Sequence, residues 1–380
     1  MRRILITGAR APAALDLARS FRAAGCTVTL ADSVTAFGAG FSRPRYDRLR
    51  LPPPRFAFGS FRTSLLNRIE GYDLVVPTCE EVFFLAEAAA RDGWTDRLFA
   101  PTIASLRILH SKVEFPGFAR ENGVDAPRSS PLTMRRDVDR LQDTERLVVK
   151  PEFSRFGTRT LVAPSRTRLG SVHPTSATRW VAQERIEGSE LSVWSVIRGG
   201  RLVACAVYEP LLRQSNSASY AFRAVDRPDV REAVERIGRA VGQDGQLSYD
   251  VIVTSDGRVA PVECNPRTVS GVHLFDGGPE IAHAMLGDGA LSEPVPGTVR
   301  FLGPAMALIG LPAALATGGL SRWMRVWRSG IDVTGRLGDR GPALGVLLDA
   351  ARFGMLGLGR LRSPTGETTD DIEWNGEVMA

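Results

Sequence analysis

Among the 48 basic side chains only two are lysines, Lys112 and Lys150; the rest are arginines. Lys150 closes the apolar run LVVK and is followed by Pro151 and SRFGTR, where Gly157 and small residues let backbone amides come close to an anion. An ammonium is a compact charge that sits among phosphate oxygens, whereas a guanidinium is a broad planar fork. Lysine kept at these positions therefore points to phosphate contact. Downstream, Asp250 in SYDV and Glu263 and Asn265 in VECNPR lie on two strand-like runs separated by SDGR. A hairpin about that turn sets three oxygen ligands on one face. Magnesium takes such a sparse, hard set and completes its octahedron with phosphates and water. The competing interpretation is an ordinary polar strand pair. Phosphate lysines upstream and metal oxygens downstream together describe a nucleotide site.

The elements that must position these residues begin with RILIT, a β-branched run ending at Gly8. A helical spacing at Ala14, Leu17, Ala18 and Phe21 follows, then a second strand, CTVTLAD. This βαβ opening predicts a parallel sheet. Its first turn, GARAPAA, lacks the second and third glycines of a dinucleotide-binding turn, although Asp32 stands where a ribose-binding acid would. Residues 37–61 are proline-rich and are expected to form an irregular loop. YDLVVPT reads as a buried strand, and the helix after it opens on Glu80 and Glu81. Those acids either read a substrate at the carboxyl ends of the strands or only oppose the helix dipole. From Pro101 the pattern changes to runs joined by RGGR and SDGR, as in antiparallel hairpins.

At 380 residues the chain is too long for one core. Its net charge of +6 comes from arginines spread along the sequence without blocks, which argues for coding bias rather than a nucleic-acid surface. Four cysteines without a CxxC pair and four histidines without ligand spacing exclude a zinc site, a disulfide framework and histidine catalysis. The amino terminus reads as a first strand, not a secretory signal, and a cytoplasmic protein is expected.

In their order these features resemble the ATP-grasp superfamily, of the carbamoyl phosphate synthetase, biotin carboxylase and D-alanine:D-alanine ligase type, over about residues 1–290. The resemblance implies an α/β fold: a Rossmann-like pre-ATP-grasp domain (1–98), a two-part α+β ATP-grasp domain (99–290) and a C-terminal extension (291–380). It implies ATP with Mg2+ or Mn2+ as cofactors. Lys112 in HSKVEF and Lys150 in VVKP match the two phosphate lysines, and SRFG, with Ser154 and Gly157, matches the flexible loop over the phosphates. Gln183, Glu184 and Ile186 match the adenine-holding hinge, Glu190 the acid on the ribose, and Asp250, Glu263 and Asn265 the magnesium ligands. Thirteen residues separate the two metal acids, as in D-alanine:D-alanine ligase. Arg267, two residues after Asn265, is placed as the arginine that binds a carboxylate or bicarbonate in relatives such as biotin carboxylase; otherwise it is a surface arginine on the sheet.

The sequence departs from the family at two places: the loop has one glycine, and Ser248 stands where some ligases carry an arginine. The transition-state cation must then be Arg155, Arg213 or Arg267. What is implied is a ligase that activates a carboxylate as an acyl phosphate for an amine, with small-molecule carboxylic acid and amine substrates, no nucleic acid, and compatibility with a homodimer. Glu80, Glu81, Arg213 and Arg267 are the candidate substrate contacts. Bicarbonate activation, and a nucleotide-binding protein working at a membrane or as a regulator, are the rivals. Residues 301–320 carry no charge, but two prolines and four glycines argue for a buried segment over a membrane span. In SRWMRVWRSG the tryptophans Trp323 and Trp327 are expected to pack on the catalytic domain, with membrane contact through 321–330 as the alternative. The terminal DDIEWNGE reads as an edge strand or hairpin without assigned chemistry.

Overall fold

A computed structural model describes residues 1–380 apart from 156, 158, 214–218, 361–363 and 380. The chain opens as a parallel sheet in the order β3-β2-β1-β4, from β1 (Arg3–Ile6), β2 (Thr27–Asp32), β3 (Asp47–Arg50) and β4 (Leu74–Val76). Helix α1 (Pro12–Ala23) joins β1 to β2 and buries Ala14, Leu17, Ala18 and Phe21, the spacing expected from sequence. The stretch 37–61 is not an irregular loop. It holds α2 (Phe37–Gly40), strand β3 and the start of α3 (Phe58–Leu66), because the prolines punctuate elements there instead of replacing them. Helix α4 (Glu81–Asp92) follows β4. The strand order reverses between β1 and β4, and a ligand crevice of an open α/β sheet lies at such a point.

After α5 (Ile103–His110) and α6 (Phe115–Glu121) comes a small antiparallel sheet in the order β5-β8-β6-β7: β5 (Ser129–Leu132), β6 (Leu147–Pro151), β7 (Leu161–Val162) and β8 (Trp180–Glu184), with the short helices α7 (Arg135–Asp139) and α8 (Arg166–Leu169). A seven-stranded sheet then forms from β9 (Ser189–Arg198), β10 (Arg201–Arg213), β11 (Ser219–Ala224), β12 (Gly245–Val253), β13 (Val259–Asn265), β14 (Val299–Phe301) and β15 (Ile331–Asp332), in the order β13-β12-β9-β10-β11-β14-β15. Period-two alternation divides β9 between two cores. Val193 and Ile197 face α9 (Pro228–Val241), which buries Val230, Val234 and Ile237. Trp194 and Val196 face the other way, onto a core shared with α1 and α10 (Glu280–Leu286). The large sheet is thus sandwiched between helices and packed onto the first domain.

The carboxyl-terminal part departs most from expectation. Gly303–Thr317 is one apolar helix, made of α11 (Gly303–Ala305), a π-helical turn at Met306–Gly310 and α12 (Leu311–Thr317). It is neither a span nor buried: Met306, Gly310 and Ala314 face inward, while Leu308 and Leu315 are exposed. A one-sided contact with the sheet edge leaves the other side of the helix in water. Helix α13 (Leu320–Ser329) follows, with Trp323 half-buried and donating from Nε1 to the Met306 carbonyl at 3.0 Å. Trp323 stacks on Trp327 and Trp327 on Phe301, so the tryptophans do pack on the sheet. Helix α14 (Gly341–Arg360) is long and apolar enough to cross a membrane by length and composition. One side of it is docked on α2, where the Asp349 carboxylate accepts from the amides of Phe37 (3.1 Å) and Gly38 (2.9 Å). After α15 (Pro364–Glu367) the chain turns back across the first sheet. The DDIEWNGE segment is an irregular strap and not a strand: its polar backbone and acids are met by arginine side chains instead of by a ladder.

Gly8 makes the turn after β1 with φ +68°, and a Cβ there would lie 2.4 Å from Thr78 Oγ1. Gly8→Ala should cost at least the roughly 1–2 kcal/mol of left-handed backbone and lower the urea midpoint of unfolding accordingly; an unchanged midpoint would remove the role assigned to this turn.

Candidate active site

The two lysines converge. Lys112, just past the end of α5, and Lys150, in the last turn-out of β6, are both buried. Lys112 Nζ lies 3.3 Å from Glu263 Oε1 and Lys150 Nζ 3.9 Å from Glu263 Oε2. Lys112 Nζ also donates to the Ser154 carbonyl at 3.0 Å, tying the loop after β6 to the same point. Antiparallel pairing of β12 with β13 sets Asp250 directly opposite Glu263, and Ser248 opposite Asn265. Asp250 Oδ1 accepts from Ser192 Oγ at 3.2 Å.

The charges interact strongly. Asp250 is exposed at the mouth of the site, and the protein enclosing it first and the neighbouring Glu263 charge second move its carboxyl upward. Burial would raise Glu263 too, but Lys112 and Lys150 outweigh it and hold that carboxyl below its usual range. Burial brings Lys150 down to about 8, with Glu263 opposing and Lys112 reinforcing the shift. Two carboxylates face one another with only one side of the pair met by lysines. That donor set fits a divalent cation, since hard oxygen ligands of like charge need a positive ion between them. Asn265 adds an amide oxygen on the same strand. Among the described residues no cluster of three or more acids, histidines or cysteines forms an alternative centre.

Arg267 leaves the end of β13 with its amide donating to the Asn265 carbonyl (2.7 Å) and its Nη2 3.5 Å from Asn265 Oδ1. Ser248, found in place of an arginine, donates to the Arg267 carbonyl at 2.6 Å and so fixes that backbone instead of supplying charge. Arg267 Nε is buried and has no hydrogen-bond partner; it lies 3.9 Å from Glu80 Oε1. A buried donor left open in this way suits an incoming acid. Glu80 is fully buried, and burial would raise it, yet Arg155, His110 and Arg267 bring its carboxyl down to about 2. Glu81, by contrast, serves the fold: its Oε1 accepts from Thr7 Oγ1 (2.7 Å) and the Thr78 amide (3.0 Å).

On the opposite flank, Gln183 is buried on β8 and donates to Ser129 Oγ (3.2 Å) and the Val262 carbonyl (3.3 Å). Glu184 pairs with Arg258 at 3.0 Å, and Ile186 is half-buried just beyond β8. Glu190 on β9 is ion-paired with Arg213 at 2.5 Å. Arg213 therefore stands with Glu190 and not with Glu80 and Arg267. Of the SRFG loop, Ser154, Arg155 and Gly157 (φ +61°) are described, and Phe156 lies outside the described residues.

Sequence reasoning missed the carboxyl-terminal strap. Arg155 pairs with Glu80 and also reaches Glu373 Oε2 (3.3 Å), the Trp374 carbonyl (2.7 Å) and Asn375 Oδ1 (3.0 Å). The Trp374 amide donates to Glu80 Oε2 at 3.3 Å, and its ring stacks on Phe83 at 4.6 Å between centroids and meets Phe153 edge-on. Upstream, Asp371 pairs with Arg10 at 2.6 Å, and Arg10 also holds Asp32. The Asp32 carboxylate is thereby engaged by Arg10. Ile372 lines a gap of about 10 Å³ beside Thr7, Gly8 and Asp32, whereas a cavity of about 440 Å³ opens between Asp32 and the β3 residues Arg48 and Arg50. A tryptophan amid four acids, DDIEWNGE, was the signal; its partners Arg10, Arg55 and Arg155 are far away in sequence.

Residues 109–271 match the family model of an ATP-grasp domain. The chain carries an ATP-grasp domain. The matched span contains Lys112, Lys150, Gln183, Glu184, Ile186, Asp250, Glu263 and Arg267. The whole fold is similar to N5-carboxyaminoimidazole synthetase from Staphylococcus aureus complexed with ADP (13% identity, 83% of this chain and 86% of that one, TM-score 0.64). It is also similar to N5-carboxyaminoimidazole synthase from Aspergillus clavatus in complex with ADP and 5-aminoimidazole ribonucleotide (14%, 83% and 87%, TM-score 0.63). L-amino acid ligase from Bacillus licheniformis aligns with 16% identity over 72% of this chain and 68% of that one, TM-score 0.54. No curated protein matches the chain by sequence. An ATP-grasp domain takes ATP with Mg2+ or Mn2+, and the paired carboxylates with flanking lysines fit both.

Glu373→Gln keeps the volume but removes one carboxylate from Arg155. Trypsin should then cut after Arg155 several-fold faster while the Tm stays within a few degrees of wild type; an unchanged cleavage rate would show that the strap does not restrain the loop.

Proposed function

We propose that the protein is an ATP- and Mg2+-dependent, ADP-forming ligase that activates a small carboxylic acid as an acyl phosphate and passes it to an amine or similar nucleophile. The observation that carries this reading is the gathering of Lys112, Lys150, Asp250 and Glu263 beside Arg267, whose buried Nε makes no hydrogen bond and has only the distant Glu80 carboxylate, 3.9 Å away, as its counter-charge. The domain partition 1–98, 99–290 and 291–380 goes with it, and use of ATP suits a cytoplasmic site of action. Bound Mg2+ would offset the negative charge of the phosphates. Asp250, Glu263 and Asn265 would hold the ion, and Lys112 and Lys150 would hold phosphate oxygens as point charges. Gln183, Glu184 and Ile186 would hold adenine, and Glu190 the ribose. Ser154 and Gly157 would lie over the phosphates.

Arg267 would hold the substrate carboxylate in line with the γ-phosphorus, a positioning role that the site's electrostatics can supply without a covalent protein intermediate. The carboxylate oxygen forms a bond to that phosphorus as the bond to ADP breaks. The amine then bonds to the acyl carbon, inorganic phosphate leaves, and the amine proton passes to solvent or the departing phosphate. Glu80 and Arg155 bound the acceptor side. A second reading, bicarbonate as the acid, draws on the two structural neighbours whose names carry a carboxylated product.

The deciding experiment is ADP release by the purified protein with ATP and Mg2+ against a panel of amino and hydroxy acids, with and without bicarbonate. Acid-dependent release supports the ligase, and bicarbonate-dependent release without another acid supports the second reading. ATP binding with no release under any condition defeats both in favour of a nucleotide-binding regulator. Within an active assay, Lys150→Arg should abolish most turnover despite its charge. Asp250→Asn and Glu263→Gln should each raise the Mg2+ requirement, read by titration. Arg267→Ala should raise the acid's KM roughly ten- to a hundredfold, the ~1.5–3 kcal/mol of a charge-assisted contact, while sparing the KM for ATP. A raised KM for ATP instead would make Arg267 a phosphate ligand.

A further inference from the structure

The carboxyl-terminal extension presents a surface that the ligase reading leaves unused. Helix Gly303–Thr317 is uncharged, and its outward side carries Leu308, Pro312 and Leu315, with both leucines 62% exposed. The turn at Gly318–Gly319 leads into α13, which packs against α12. On α13, Val326 is turned inward and Trp323 half-buried, while Arg322, Arg325, Trp327 and Arg328 face solvent. Helix α14, which packs against α11 at the root of this hairpin, has a second outward stripe: Leu344, Leu348, Ala351, Met355 and Leu358, spaced i, i+4, i+7, i+11 and i+14. Leu358 is 81% exposed and Met355 68%. No charge interrupts that stripe.

The charge distribution is one-sided as well. Residues 300–360 hold eight arginines and three aspartates; Arg300, Arg336 and Arg360 are paired with Asp276, Asp16 and Glu367, and Arg322, Arg325, Arg328 and Arg340 are exposed. Each aspartate is occupied inside: Asp332 accepts from the Gly303 amide (2.9 Å) and Thr334, Asp339 pairs with Arg19 (2.7 Å), and Asp349 holds the α2 amides. Among the described residues of this span no acid is exposed. What reaches solvent is leucine, methionine, tryptophan and guanidinium.

A second copy of the chain is a poor occupant, because a symmetric contact would set Arg322, Arg325 and Arg328 near their own copies with no exposed acid in the span to pair with them. An anionic lipid surface matches each feature. Leucines enter the acyl boundary, tryptophan sits at headgroup depth, and arginines meet the phosphates. Crossing the bilayer is excluded for α14 while its Asp349 face is docked on α2, so contact is with the surface.

We propose that the hairpin Gly303–Ser329 and the outward stripe of α14 are a peripheral docking surface for membranes rich in anionic phospholipid. The full chain should sediment with phosphatidylglycerol-containing vesicles at 0.1 M salt and much less with pure phosphatidylcholine vesicles, with binding weakened at 0.5 M salt. Arg325→Gln with Arg328→Gln should weaken binding roughly thirtyfold, the ~2 kcal/mol of two surface charges. Leu308→Ser with Leu315→Ser should weaken it further. All four positions are outside the nucleotide site, so ADP release and Tm should stay at wild-type values, which separates failure of this proposal from failure of the ligase reading. Brominated phosphatidylglycerol should quench tryptophan fluorescence, and Trp327→Phe should remove most of that quenching. Absence of binding to anionic vesicles, equal binding to neutral ones, or unchanged binding by the arginine variants would overturn the proposal. So would a concentration-dependent dimer broken by Leu348→Ser in a chain that ignores vesicles.

Discussion

One half-buried carboxylate organises the candidate site. Glu263 is approached from one side by Lys112 and Lys150 and faces Asp250 on the neighbouring strand. Burying a carboxylate without partners is expensive, and removing one partner of a buried pair leaves an uncompensated charge. The positions of three chain segments are therefore coupled through it: the turn after α5, the end of β6, and the β12–β13 hairpin. The like charge of Asp250 is left poorly met, and its raised carboxyl is the local sign that a cation belongs there. The same arrangement explains the lysines. Two point charges each take one oxygen of Glu263, a geometry that bidentate guanidinium forks, used by arginine elsewhere in this chain, would crowd.

A second acid, the buried Glu80, joins the first domain to the ATP-grasp domain. It binds Arg155 of the loop after β6, and the strap residues Glu373, Trp374 and Asn375 close round the same guanidinium. The loop that would cover phosphates is thus held by the chain's own end. Ile372 and Asp371 meanwhile lie on one side of Asp32. The first domain carries the tail, and on the other side of Asp32 it keeps a cavity of about 440 Å³ lined by Leu30, Thr35, Ala39, Arg48 and Arg50.

The pairing of the two acid-bearing strands was legible from the SDGR turn, but the exact partner was not: the turn's register alone would set Asp250 opposite Val262, and a bulge at Val262 shifts the ladder by one and brings Glu263 there. Lys112 and Lys150 stood out for a compositional reason, their rarity among arginines, and the fold brings both to Glu263. The pairing of Arg213 with Glu190 was not legible, because the strand β10 is long and only tertiary pairing shows what its end meets. Glu81 could not be told from Glu80 by position, since adjacent residues at a helix start point to different neighbours; one meets Thr7 and Thr78, the other Arg155. Residues 301–320 misled because absence of charge reads alike for a core segment and for an exposed apolar face.

By itself the sequence determined the local chemistry: strand and hairpin periods, the ordered lysines and acids, and with them the ATP-grasp class, because these depend on spacings within a few residues. The tertiary structure alone decided which far-apart groups meet. Arg155 could have served as a catalytic cation, and it is instead clasped between Glu80 and the carboxyl-terminal strap. Asp32 could have faced a ribose, and its carboxylate is engaged by Arg10. Leu308 and Leu358 could have been core, and they stand in water. Ion pairs and burial are set by whichever surfaces the folded chain brings together, and no spacing along the sequence encodes that.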